Sequence, residues 1–119
     1  MLLEAALFYN AFGMIIFGFV LLLIPDKMLK RTGFNPKDWT ERNYMIYRIC
    51  GIWVISAGVV CAFVTYYLEL KYQRFVCMLM IVAHLVEVTV KKIGIPESNS
   101  HLFANGHLAL ILIAALLFN

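Results

Sequence analysis

The sequence predicts an all-α integral membrane protein, a four-helix bundle with four spanning helices, and three observations carry that prediction. The chain has 119 residues, of which 63% are hydrophobic and only 14% are charged, whereas soluble domains are nearer to half apolar and a quarter charged. A soluble chain of this length buries only part of its surface and could not hide so many apolar side chains from water. The apolar residues also form four long runs. We interpret residues 1–119 as one membrane domain.

Each run is close to the length that a spanning helix needs. A helix crosses the hydrocarbon layer, which is about 30 Å thick, with roughly 20 residues. In lipid, every backbone polar group has to be bonded within its own segment, so these runs are expected to be helices. Pro25 ends the first run and Lys91 follows the third. The predicted spans are residues 5–24, 44–68, 72–90 and 102–118.

The distribution of basic residues predicts the orientation of the spans. Loops one and three lie on the same side of the membrane, and the opposite side carries only Lys71 and Arg74. The positive-inside rule therefore places loops one and three in the cytoplasm or the matrix, and both termini on the other side. We expect the endoplasmic reticulum or the mitochondrial inner membrane. The basic residues of the two inner loops are Lys27, Lys30, Arg31, Lys37, Arg42, Lys91 and Lys92.

Small residues mark the predicted packing faces, because they allow helix backbones to approach closely. Span one carries Gly13 and Gly18, and Gly58 and Ala62 lie four residues apart on span two. The three cysteines lie inside apolar runs without the close spacing of a metal or redox motif, so we interpret them as packing residues.

Five polar residues inside the spans are predicted to share one layer near the cytoplasmic or matrix leaflet. Ionisable side chains in hydrocarbon are costly and usually face the bundle interior. His84 and Glu87 lie three residues apart on one helix face. The topology brings the inner ends of spans two, three and four to the same depth. The residues of this predicted polar site are Arg48, His84, Glu87, Asn105 and His107.

Several roles are open for this layer. A lone charge at that depth is expensive, so Arg48 and Glu87 are predicted to form an ion pair. The network could equally fix helix register without any other role. A metal site is disfavoured because His84, Glu87 and His107 supply a single carboxylate. Tyr47 and Trp53 lie nearby and are predicted to contact lipid headgroups. We predict no catalytic residue and no metal.

The stretch from Arg48 to Trp53, with Arg-x-x-Gly-x-Trp spacing and Ser56 following, resembles the second span of the ergosterol-biosynthesis scaffold family of the endoplasmic reticulum. His84 and Glu87 are similar to a His followed by a nearby Glu on that family's third span, with a spacing one residue shorter here. The resemblance covers the middle third of the chain. It implies a small four-span protein that tethers enzymes of sterol synthesis and has no catalytic activity of its own.

The chain also resembles the broad DoxX-like group of small four-span membrane proteins. That similarity lies in Gly13, Gly18 and Pro25 of span one, followed by Arg48 and Gly51 at the start of span two. The group is functionally mixed, so it implies the fold and no particular activity.

The leading functional prediction is a non-catalytic scaffold or accessory subunit of a larger membrane assembly. Its expected partners are other membrane proteins and the lipid bilayer. Nucleic acid is not expected, because no basic stripe with interleaved aromatic residues is present. The first alternative is a membrane-embedded enzyme or binding protein for a lipid, sterol or quinone, which would use the polar layer. The second alternative is a small transporter or channel. No cofactor is predicted beyond a bound lipid or sterol.

Overall fold

The computed structural model describes residues 2–27, 37, 39–94, 99 and 102–118, and this part of the chain is almost entirely helical. The all-α prediction is therefore confirmed. Most of the predicted first loop lies outside the described residues. The helices are α1 (Leu2–Leu23), α2 (Glu41–Tyr67), α3 (Leu70–Gly94) and α4 (His107–Phe118), with a π-helical turn (Leu102–Gly106) directly before α4.

Local chemistry sets the helix ends. Helix α1 ends at Leu23 because the residue before a proline is disfavoured in the helical conformation, and Pro25 follows Ile24. Helix α2 begins after Thr40, whose extended backbone and side-chain hydroxyl, which accepts from the Asn43 N–H at 3.4 Å, form an N-cap. The cap places the start of α2 three residues before the predicted start of span two.

Helices α1 and α2 are long and apolar enough to cross a membrane, each with a mean hydropathy above 2 over its most apolar stretch. Helix α3 is long enough but carries charged residues near both of its ends. The segment Leu102–Phe118 is apolar and shorter.

The antiparallel pair α1–α2 makes the most extensive helix contact in the described part of the chain. Glycines bring the two backbones together: a Cβ atom on Gly51 would lie 2.6 Å from the Gly18 carbonyl oxygen. A Cβ atom on Gly58 would lie 2.9 Å from the Ala11 carbonyl oxygen. Gly18 and Gly58 therefore pack as predicted. Gly13 does not, because nothing lies within 4 Å of the position its Cβ would take.

All four helices contribute to one apolar core. Helix α1 contacts the three other helices, and its contact with α2 is by far the most extensive. Helix α3 makes only small contacts with α1 and with α2, of similar extent. Two of the three cysteines are fully buried in this core, and Cys50 is exposed. The core residues are Leu3, Ala6, Leu7, Ala11, Cys61, Cys77, Leu112 and Ala115.

Candidate functional site

A buried hydrogen bond joins α1 to α3. The Nε2 atom of His84 lies 2.6 Å from Oδ1 of Asn10, and the two side chains are only 5% and 0% exposed. Because an amide oxygen can only accept, the imidazole Nε2–H is the donor. The Asn10 amide nitrogen in turn points toward the sulfur atoms of Met14, at 3.4 Å, and Cys61, at 3.9 Å. Asn10 thus connects α1 with both α2 and α3.

The π-helical turn before α4 brings a third polar residue to this site. Asn105 lies in the turn and is 8% exposed. Its side chain lies near the His84 ring. The wider π-helical winding changes the direction in which side chains leave a helix, and such turns are frequent at functional sites. His84, Asn10 and Asn105 together form a polar cluster that draws on three helical segments.

An exposed counterpart of this contact lies one residue away on α1. The Tyr9 hydroxyl is 3.3 Å from Nε2 of His107, and the two rings meet edge to face with centroids 6.1 Å apart. Nδ1 of His107 lies 2.5 Å from the Phe103 carbonyl oxygen, which can only accept. Nδ1 therefore carries the imidazole proton, and Nε2 accepts from the Tyr9 O–H. Adjacent residues of α1 thus bind one histidine from α3 and one from the start of α4.

The predicted ion pair between Arg48 and Glu87 is not formed. The Glu87 carboxylate pairs with Lys91 one helical turn further along α3. The Lys91 ammonium also lies 5.6 Å from the centre of the Phe17 ring on α1. Arg48 is exposed and makes no ion pair within the described ranges. The physical reason is that α2 packs on α1 through its glycines and makes little contact with α3.

The two predicted headgroup residues lie in different surroundings. The Tyr47 ring is half-buried, with its centroid 4.8 Å from that of Trp39. The Trp39 ring also lies 5.3 Å from Tyr44, so these three residues form an aromatic cluster at the start of α2. Trp53 lies outside this cluster and is 72% exposed. Tyr47 therefore contacts Trp39, and Trp53 lies apart from both rings.

An open apolar groove runs between α1 and α4 and has a volume of about 360 Å³. Four of its lining residues are alanines, and their short side chains leave open space between the two helices, so the surface is concave. Tyr9 contributes the phenol ring to the lining. The groove is lined by Leu2, Ala5, Ala6, Tyr9, Ile111, Ala114 and Ala115.

Gln73 is a buried polar residue that the sequence did not single out. Its amide nitrogen donates to the carbonyl oxygens of Thr65, at 3.0 Å, and Leu68, at 3.1 Å, so it closes the turn between α2 and α3. Within the described residues its Oε1 atom is buried and has no hydrogen-bond partner. Its role is to satisfy carbonyl groups that the end of α2 leaves free.

Sequence reasoning placed His84, Glu87, Asn105 and His107 in one layer but missed Asn10 and Tyr9, the partners of the two histidines on α1. The signal was available, since Tyr9 and Asn10 are the polar side chains of an otherwise apolar span. In the part of the chain that the structure describes, no three His, Cys, Asp or Glu side chains converge to hold a metal ion.

Three comparisons with known proteins gave no match: none was found among protein-family models, curated proteins or solved structures.

Proposed function

We propose that this chain is a four-span membrane protein, a four-helix bundle that serves as a non-catalytic scaffold or accessory subunit of a larger membrane assembly. Helices α1 and α2 would be two of the spans. Helix α3 would be the third, with Lys71 and Arg74 at one interface and Lys91 and Lys92 at the other. The segment Leu102–Phe118 would be the fourth. Both termini would lie on the non-cytoplasmic or non-matrix side, as the loop charges predict.

The carrying observation is that the polar groups between the helices bind one another while large apolar side chains face outward. His84 of α3 is bound to Asn10 of α1, and His107 at the start of α4 is bound to Tyr9 of α1. These two contacts hold the helices together, whereas Glu87 and Lys91 pair with each other within α3. A protein in water rarely exposes extended apolar surface unless the surface binds something. This arrangement supports a structural protein that works through its outer surface in lipid.

One outer surface stands out as a site for a partner helix. One side of α2 carries a stripe of exposed residues at helical spacing, about 100° around the helix from Gly51 and Gly58, which face α1. The Ser56 hydroxyl on this stripe donates to the Ile52 carbonyl oxygen at 2.9 Å. Helices associate in lipid by close packing, because lipid tails remove the hydrophobic driving force. We call this stripe the outer face of α2; it consists of Ile52, Ser56, Val59, Phe63 and Tyr66.

The test is native mass spectrometry of the protein purified in mild detergent from its own membrane. A stoichiometric partner chain is expected. Phe63→Ala on the outer face of α2 should reduce the recovered partner at least about tenfold if that phenylalanine is an interface anchor. Phe75→Ala is the matched control, since Phe75 is an equally exposed phenylalanine on α3, 56% against 55%. Recovery of the chain without any partner would contradict the scaffold.

A second candidate function is binding of a lipid, sterol or quinone, and the groove between α1 and α4 favours it. The groove is apolar and open toward the surrounding lipid. Ala114→Phe should fill it without touching the core, because Ala114 is exposed. A small molecule that co-purifies at fixed stoichiometry and is lost from Ala114→Phe, but not from the exposed variant Leu110→Phe, would support this alternative.

A further inference from the structure

We propose that Arg48 and Tyr44 bind the phosphate of an anionic phospholipid from the inner leaflet, at the aromatic cluster where α2 begins. This inference goes beyond the scaffold and rests on the proposed function in two respects, namely that α2 crosses the membrane and that the start of α2 lies on the cytoplasmic or matrix side.

The first step is the environment of Arg48. Its exposed neighbours on α2 are apolar: Met45 and Ile52, one turn away on either side, are 57% and 52% exposed, and the adjacent Ile49 is 45% exposed. In a membrane these side chains would contact lipid. A guanidinium stays charged at any relevant pH, and within the described residues no carboxylate pairs with it. An uncompensated charge at a lipid-facing position calls for a counter-ion from outside the chain.

The second step is depth. Gly51, one turn after Arg48, packs against Leu22 of α1, and a Cβ there would lie 2.9 Å from the Leu22 backbone nitrogen. Arg48 therefore lies level with the end of α1 at Leu23. Side chains of a helix tilt toward its N-terminus, so the long Arg48 side chain extends toward Glu41 and the membrane surface. A guanidinium in that position meets lipid phosphates and lies away from the hydrocarbon centre.

The third step is the set of groups around it. Tyr44 lies four residues before Arg48, so their side chains are neighbours on one face of α2. The Trp39 ring lies 5.3 Å from the Tyr44 ring and restricts the phenol. Aromatic residues of this kind favour the headgroup zone. A planar guanidinium can bind two phosphate oxygens at once, and a phenol hydroxyl can donate to a third.

The test uses the full-length protein in a mild non-ionic detergent, with phosphatidylserine and phosphatidylcholine as the added lipids. Native mass spectrometry measures the apparent dissociation constant of each lipid. Wild-type protein is expected to bind phosphatidylserine about tenfold more tightly than phosphatidylcholine. Arg48→Gln should remove this preference, and Arg48→Lys should keep part of it, because an ammonium retains the charge but not the bidentate geometry. Tyr44→Phe should weaken phosphatidylserine binding by about threefold.

The matched control is Arg74→Gln, which removes the same charge from an exposed arginine at the opposite end of the bundle. It should leave the preference unchanged. Equal losses from Arg48→Gln and Arg74→Gln would overturn the proposal, as would an Arg48→Gln protein that keeps the wild-type preference. Loss of a stoichiometric partner chain from Arg48→Gln, with lipid binding intact, would also overturn it and assign the counter-ion to a partner carboxylate. Failure of the scaffold would appear separately, as wild-type protein without any partner.

Discussion

Helices α1 and α2 meet through their backbones, whereas α3 and α4 are held to the molecule through side chains. Across α1–α2, a Cβ added to Gly51 would come within 2.6 Å of a backbone oxygen. On the other side of α1, His84 is bound through the Asn10 side chain at 2.6 Å, and the Cys77 thiol reaches the Leu112 carbonyl oxygen at 3.5 Å. Side chains can adjust to a change by rotating, but backbones in contact cannot. The first contact should therefore tolerate added volume least.

The largest expected effect is the cost of adding volume between α1 and α2. Gly51→Val should lower the free energy of unfolding by about 3 kcal/mol, because the new side chain overlaps the Gly18 carbonyl oxygen and the α1 backbone. Gly13→Val is the control, since open space surrounds that position. It should change stability by less than about 1 kcal/mol. Unfolding in mixed detergent and dodecyl sulfate micelles, followed by circular dichroism, measures both. An equal loss of stability from Gly51→Val and Gly13→Val would mean that the backbones of α1 and α2 do not touch.

Removing volume from the packing of α4 in the core should lower the free energy of unfolding by less. Leu112 is 1% exposed in the core, so Leu112→Ala should lose packing contacts worth about 1–2 kcal/mol. The same substitution in the core of a soluble protein costs roughly 3–5 kcal/mol, because the lost free energy of transferring the side chain out of water adds to the cost of the cavity. In a membrane protein most of that transfer free energy is absent. Leu110→Ala, at a 67% exposed position, should change stability by less than about 0.5 kcal/mol. A loss above about 4 kcal/mol for Leu112→Ala would contradict the membrane assignment.

The buried polar contact should give a smaller but specific coupling. A double-mutant cycle of Asn10→Ala and His84→Ala should show a coupling energy of about 1 kcal/mol, the range found for hydrogen bonds between membrane helices. Ser56→Ala serves as the control partner, because the Ser56 hydroxyl binds a carbonyl oxygen within its own helix. A cycle between Ser56→Ala and His84→Ala should show no coupling. If the two cycles give the same coupling energy, the hydrogen bond between Asn10 and His84 does not hold α3 on α1.

The smallest effect is expected at the exposed ion pair of α3. Glu87 and Lys91 are 38% and 33% exposed at their side chains, so their attraction is screened. Glu87→Gln should cost at most about 0.5 kcal/mol, the usual range for a pair four residues apart on a helix. The same unfolding assay measures it. A cost above about 2 kcal/mol would mean that Glu87 is bound more strongly than a partly exposed pair with Lys91 allows.

Part of the candidate site could be predicted and part could not. His84, Glu87, Asn105 and His107 were predictable because ionisable and amide side chains are conspicuous in apolar runs. Asn10 and Tyr9 are visible as polar side chains of span one, but their pairing with the two histidines was not predictable, because it depends on which helices are neighbours. The predicted Arg48–Glu87 pair failed for the same reason, since two residues at the same depth do not meet unless their helices pack together at that level.

The sequence by itself determined the helices of this protein. Long apolar runs and a proline after the first specify helical segments and the end of α1 through local chemistry alone. The sequence also identified most residues of the polar cluster. Only the tertiary structure decided which glycines touch, that Asn10 binds His84, and that Arg48 faces outward with no ion-pair partner among the described residues. Those outcomes depend on the rotation and neighbours of each helix, and hydropathy carries little information about either when a helix is apolar on all sides.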